Sequence, residues 1–110
     1  MRKAEELARI FKVLSVESRV QIVQMLKSKA LCVNALAKRL NITPAAVSQH
    51  LRVLRDAGMV SAEKRGYFVH YRLNDETLAG WRDLADRFLA ESDPSGPFIE
   101  IKTTEEECHD

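Results

Sequence analysis

Only two cysteines, Cys32 and Cys108, occur in the 110 residues, too few for a disulfide framework. A reducing, cytoplasmic setting is the default expectation. No run of eighteen apolar residues occurs, so no segment is expected to span a membrane. The opening MRKAEELARIFKVL threads charges through its apolar positions and does not read as a secretory leader. Glycine is scarce, at four residues, and forms no phosphate-cradling loop. There is no HExxH, and no cysteine or serine stands beside a base on a rigid element. Cys108, His109 and Asp110 are catalytic residue types, but a chain end does not hold them in position. An enzyme is therefore not expected. Internal repeats and low-complexity segments are also absent.

What is present is a soluble globular composition, 45% hydrophobic and 30% charged. At this length it makes one domain with a modest core, more secure if a second copy helps to bury it. The net charge of +1 conceals a split. Residues 1–73 hold 14 Lys and Arg against 5 Asp and Glu, a balance of +9. Residues 74–110 hold 3 against 11, a balance of −8. Either a basic binding body carries an acidic C-terminal segment, or two solvated faces differ in sign.

Leu7, Ile10, Phe11 and Leu14 recur at three- and four-residue spacing and predict a first helix over 3–14. Ser15 is a candidate N-cap for a second helix over 16–28, marked by Val20, Val23 and Leu26. A third, Val33–Leu40, buries Leu36 and Leu40 and turns Lys38 and Arg39 outward. After Asn41 and Ile42, Thr43 is an N-cap and Pro44 takes the first helical position, where its missing N–H is no loss. The fourth helix runs to Ala57, with Gly58 as its left-handed stop. The period then changes to two, predicting strands over 59–63 and 67–73 around a basic tip of Lys64, Arg65 and Gly66. Asn74, Asp75 and Glu76 open a fifth helix with the stripe Leu78, Trp81, Leu84, Ala85 and Phe88. Residues 1–91 thus form the domain, and 92–110 an acidic tail expected to be mobile.

The third and fourth helices make a helix-turn-helix candidate. Val47, Leu51 and Leu54 share the core face of the fourth helix. Its other side offers Ala45, Ala46, Ser48, Gln49, Arg52 and Arg55, slim at the N-terminal end where a long side chain would block a groove. Gln bonds adenine bidentately, Ser bonds base or phosphate, and Ala packs on a thymine methyl. The helix N-terminus attracts phosphate, and Thr43 stands there. Lys64, Arg65 and Tyr67 on the hairpin would add backbone or minor-groove contacts. His50 and His70 read as packed or locally bonded residues. The competing use of such a fold, a protein-interaction module, calls for an uncharged or apolar surface at Ser48, Gln49, Arg52, Lys64 and Arg65.

LCVNALAKRL, AAVSQHLRVLRDAGMV and GYFVHYRL together resemble the ArsR/SmtB family of winged-helix repressors over about residues 4–91. The S-x-H-L-x-x-L-x-x-A-G signature is met by Ser48, His50, Leu51, Leu54, Ala57 and Gly58. The resemblance implies a mainly α winged helix-turn-helix with a small β-hairpin wing, in the order α-α-α-α-β-β-α. It also implies a homodimer that binds duplex operator DNA, an inverted repeat, and releases it on sensing an inducer. Leu7, Ile10, Phe11 and Leu14 with Leu78, Trp81, Leu84 and Phe88 would then form the dimer interface.

Metal-sensing relatives often carry Cys-Val-Cys where this chain has Cys32, Val33 and Asn34, so the second thiol of that site is missing. A second family site uses carboxylates and histidines of the fifth helix. Residues 75–91 supply Asp75, Glu76, Asp83, Asp86 and Glu91 but no histidine. The remaining sensor set is Cys32 with Cys108 and His109, suited to a thiophilic metal, a metalloid such as As(III), or a regulatory disulfide. No cofactor is needed for DNA binding. The alternatives are a regulator without metal sensing, with Cys32 as a small packed hydrophobe, or the interaction module.

Overall fold

The three- and four-residue apolar spacing of the first half becomes four helices, and the alternating stretch becomes a hairpin. In the computed structural model residues 3–90 are described. The order is α1 (Lys3–Val13), α2 (Glu17–Leu26), β1 (Leu31–Cys32), α3 (Val33–Leu40), α4 (Pro44–Asp56), β2 (Val60–Arg65), β3 (Phe68–Leu73) and α5 (Asp75–Leu89). This is a winged helix-turn-helix with one strand more than expected. Residues 92–110, including Cys108 and His109, lie outside the described residues.

The added strand, β1, pairs antiparallel with β3, Leu31 opposite Tyr71 and Cys32 opposite His70, giving the sheet order β1-β3-β2. Two residues are too few to show a period, but their backbone groups satisfy the free edge of β3. The hairpin is also tighter than expected. Arg65 pairs with Phe68, so Gly66 and Tyr67 alone make the loop. Gly66 has φ +61° and Tyr67 does not share the positive sign, as in the type II′ turns that suit strand twist. Lys64 and Arg65 therefore end β2 instead of forming the tip. Ser15 does not cap α2, where Val16 holds the N-cap position without a side-chain bond. Its hydroxyl donates to the Lys12 carbonyl at 2.7 Å and closes the end of α1. Val20, expected on the apolar stripe, is exposed, and Ile22, Val23 and Leu26 form the buried face.

The core gathers Val13, Ile22, Leu26, Leu31, Leu36, Val47, Leu51, Leu54, Met59 and Val60 from α1 to β2, with the partly buried Tyr71 and Leu73 of β3 packed against it. Helix α5 has no fully buried residue; Leu78 and Trp81 pack on the core edge. Its N-cap is Asn74, whose Oδ1 accepts from the Thr77 amide at 3.3 Å. Toward its other end it packs on α1, with Phe11 and Phe88 meeting edge to face at 6.4 Å. Among the described residues, no helix is long and apolar enough to cross a membrane.

Candidate nucleic-acid interface

Helix α3 ends where Asn41 takes left-handed backbone angles, φ 56° and ψ 43°, which Asn tolerates better than most residues. That residue reverses the chain, and Thr43 opens α4 by accepting the Ala46 amide on Oγ1 at 3.1 Å. The cap uses the Thr43 oxygen as acceptor, so its hydroxyl proton stays available to an outside acceptor. Val47, Leu51 and Leu54 are buried to 1% exposure or less, which fixes the rotation of α4 about its axis. Ala45, Ser48, Gln49, Arg52 and Arg55 consequently face solvent, with Ala46 at the margin. The far end is held by a Schellman motif. Gly58, at φ +78°, donates to the Arg55 carbonyl, and Met59 donates to the Leu54 carbonyl, both at 2.9 Å.

Ser48, Arg52 and Arg55 line one surface cleft with Asp56 and with Tyr71 of β3. The structure therefore joins the recognition-helix candidates to the root of the wing. Alternation along β2 separates the two basic wing residues. Lys64 shares a ribbon face with Ala62 and Tyr71, the side on which α4 lies. Arg65 is on the opposite face, 3.6 Å from Glu63, which also lies 4.0 Å from Arg72. These pairs are half exposed and weak, about 0–1 kcal/mol each. Tyr67 at the tip is fully exposed.

His50 is bonded, but to a distant partner. Arg19 Nε donates to its Nδ1 at 3.4 Å, and Arg19 Nη1 donates to the Val13 carbonyl at 3.2 Å. Burial, and secondarily the Arg19 charge, hold His50 below its ordinary pKa of 6.5. The Arg19 link was not visible in the sequence, since α2 and α4 carry no mutual pattern.

Neither metal site implied by the family resemblance is supported by the described residues. Asn34 stands where a second thiol is needed, and it is exposed. On α5, Asp83 and Asp86 are taken by Arg87 at 3.3 Å and Arg82 at 3.7 Å. Among the described residues no three His, Cys, Asp or Glu side chains are grouped to hold an ion. Cys32 is a free, half-buried thiol at the N-cap of α3.

The family model for bacterial regulatory proteins of the arsR family matches residues 17–62, which span α2 to the first half of β2. The Synechocystis transcriptional repressor SmtB homolog is 35% identical, over 83% of this chain and 69% of its own. The chain belongs to the arsR family. The Mycobacterium tuberculosis repressor SmtB is 39% identical over 64% of this ArsR-family chain, which spans about half of that relative, 52%. An ArsR-like transcriptional regulator from Rhodococcus superposes with a TM-score of 0.69 at 30% identity, covering 77% of this chain and 80% of its own. The family is one of transcriptional regulators and not of enzymes. The match over α3 and α4 coincides with the exposed face described above.

Proposed function

We propose that this ArsR-family chain is a homodimeric, sequence-specific DNA-binding repressor. The observation that carries the reading is the exposed face of α4. Slim residues cluster at its capped N-terminus and arginines follow one and two turns on, while the opposite face is fixed in the core. Ala45, Ala46, Ser48 and Gln49 enter the major groove, with Gln49 reading a base edge. Thr43, Arg52 and Lys64 hold phosphates. Arg65 and Tyr67 at the distal wing contact the backbone or the adjacent minor groove.

Dimerisation uses the α1–α5 side. Phe11, Phe88 and Leu89 are exposed there, around an apolar cleft lined by Leu7, Phe11, Leu84 and Phe88. Leu7 and Ile10 are already buried within one chain and support this surface from below. Leu14, Leu78 and Trp81 lie toward the core edge and would be its margin. A two-fold dimer presents two α4 helices to half-sites of an inverted repeat, one turn or a multiple apart. Release follows binding of an inducer, a thiophilic metal, a metalloid such as As(III) or a thiol oxidant, acting at Cys32 with Cys108 and His109. Such an inducer must favour the DNA-incompetent state by about 1–3 kcal/mol.

The test is fluorescence anisotropy of the full chain on duplex fragments at a series of salt concentrations. Affinity should prefer one upstream sequence over random duplex, and should fall with log salt at a slope of about −0.9 per phosphate contact. A flat salt response or equal affinity for every duplex rules the reading out.

A further inference from the structure

Cys32 and His70 are far apart in sequence, yet the pairing of β1 with β3 sets them directly opposite each other. Directly opposed residues project from the same face of a sheet. Leu31 and Tyr71, the next pair, join the core, so Cys32 and His70 project from the other face. Both are half-buried. The Nδ1 atom of His70 is fully buried and, among the described residues, has no hydrogen-bond partner. Buried ring nitrogens are ordinarily bonded, to protein, water or an ion. The same row continues to Glu63 on β2, but that carboxylate turns to Arg65 and Arg72. The thiol and the imidazole thus remain as a pair.

We propose that Cys32 and His70 are two ligands of a soft divalent metal site that ties the start of α3 to the wing. The geometry is suitable. Cβ atoms of opposed residues lie about 4.5–5.5 Å apart. A tetrahedral ion with bonds of about 2.3 Å to sulfur and about 2.0–2.1 Å to nitrogen needs those atoms about 3.6 Å apart, which short side chains on such a pair can reach. The thiol proton goes to solvent as the Sγ–metal bond forms, and neutral imidazole donates the Nδ1 lone pair. Two protein donors leave the ion open for further ligands, which suits a reversible signal better than a permanent structural ion. Because Cys32 is the N-cap of α3 and His70 belongs to β3, an ion between them fixes the wing against the helix-turn-helix. This deepens the repressor reading, on which its regulatory meaning rests, by replacing the missing second thiol of α3 with a wing histidine.

The probe is cadmium alone, titrated into the full chain without DNA and followed by thiolate-to-cadmium charge-transfer absorption. Wild type should develop the band, Cys32→Ser should lose it, and His70→Gln should bind at least about tenfold more weakly. Nitrogen-15 spectra of the histidine rings give a check that needs no variant: cadmium should shift the His70 ring. No band in wild type, wild-type affinity in His70→Gln, or a shift at His50 or His109 with His70 unmoved overturns the proposal. DNA affinity of the metal-free protein is a separate readout, so failure of the repressor reading leaves the cadmium result interpretable.

Discussion

Arg19 ties two parts of the domain together: it reaches His50 on α4 at 3.4 Å and the Val13 carbonyl at the end of α1 at 3.2 Å. Because Arg19 donates, His50 Nδ1 must accept, and the neutral ring carries its proton on Nε2. Protonating His50 removes that acceptor and sets two cations against each other.

The sign of the pH effect follows. His50 is held below its ordinary value of 6.5 in the fold, so the unfolded chain binds more protons once pH falls below that value. The stability contribution is complete above 6.5 and is lost as pH falls toward the lower folded-state value. Urea unfolding at about pH 7.5 and about pH 5.5 should give a smaller loss in His50→Gln, which keeps a neutral side chain, than in wild type. An identical loss in both proteins would show that His50 is not the group responsible.

Gly58 ends α4 in the left-handed region, φ +78°, while a Cβ there would meet Thr77 Oγ1 at an unstrained 3.6 Å. Conformation and not crowding is therefore the penalty. Gly58→Ala should destabilise the domain by about 1–2 kcal/mol, read as a lower denaturant midpoint with an unchanged slope. Leu54→Ala, which empties a fully buried position in the same motif, should cost more, about 2–5 kcal/mol.

The two wing cations should not be equivalent. Lys64→Ala should weaken binding to all duplexes alike and reduce the salt slope by about one contact. Arg65→Ala should do less, because Arg65 lies on the other ribbon face beside Glu63. Gln49→Ala should instead relax preference at one base position, by about 1–3 kcal/mol. Anisotropy with a set of single-base operator variants separates these outcomes; equal effects of Lys64 and Arg65 would refute the assignment of faces.

Phe88 is 65% exposed within one chain, so Phe88→Glu should leave the fold intact. It would, however, put a charge into the proposed dimer surface. Sedimentation should give a dimer for wild type and a monomer for the variant at micromolar protein, with weaker operator binding in the variant. A wild-type monomer with full DNA affinity would exclude the proposed assembly.

Much of this molecule was legible where the signal is local. Helix α3 has the predicted bounds, and α4 begins at Pro44 after the Thr43 cap, because periodicity and a three-residue capping bond are properties of one short segment. The solvent face of α4 followed from the burial of Val47, Leu51 and Leu54. Ser15 misled because a hydroxyl between two helices can close the first as readily as open the second. The hairpin tip was misplaced by a residue or two because alternation does not say where strand pairing stops.

The sequence by itself determined the helix stripes, the turn chemistry and the family resemblance, all carried by spacings of a few residues. Tertiary structure alone decided which distant groups meet. Arg19 and His50 are 31 residues apart, and their meeting depends on how α2 crosses α4 in the core. Cys32 faces His70 only because β1 docks on the free edge of β3 in one register. A slip of one residue would turn each side chain to the other face, and a two-residue strand has no pattern from which that register could be read.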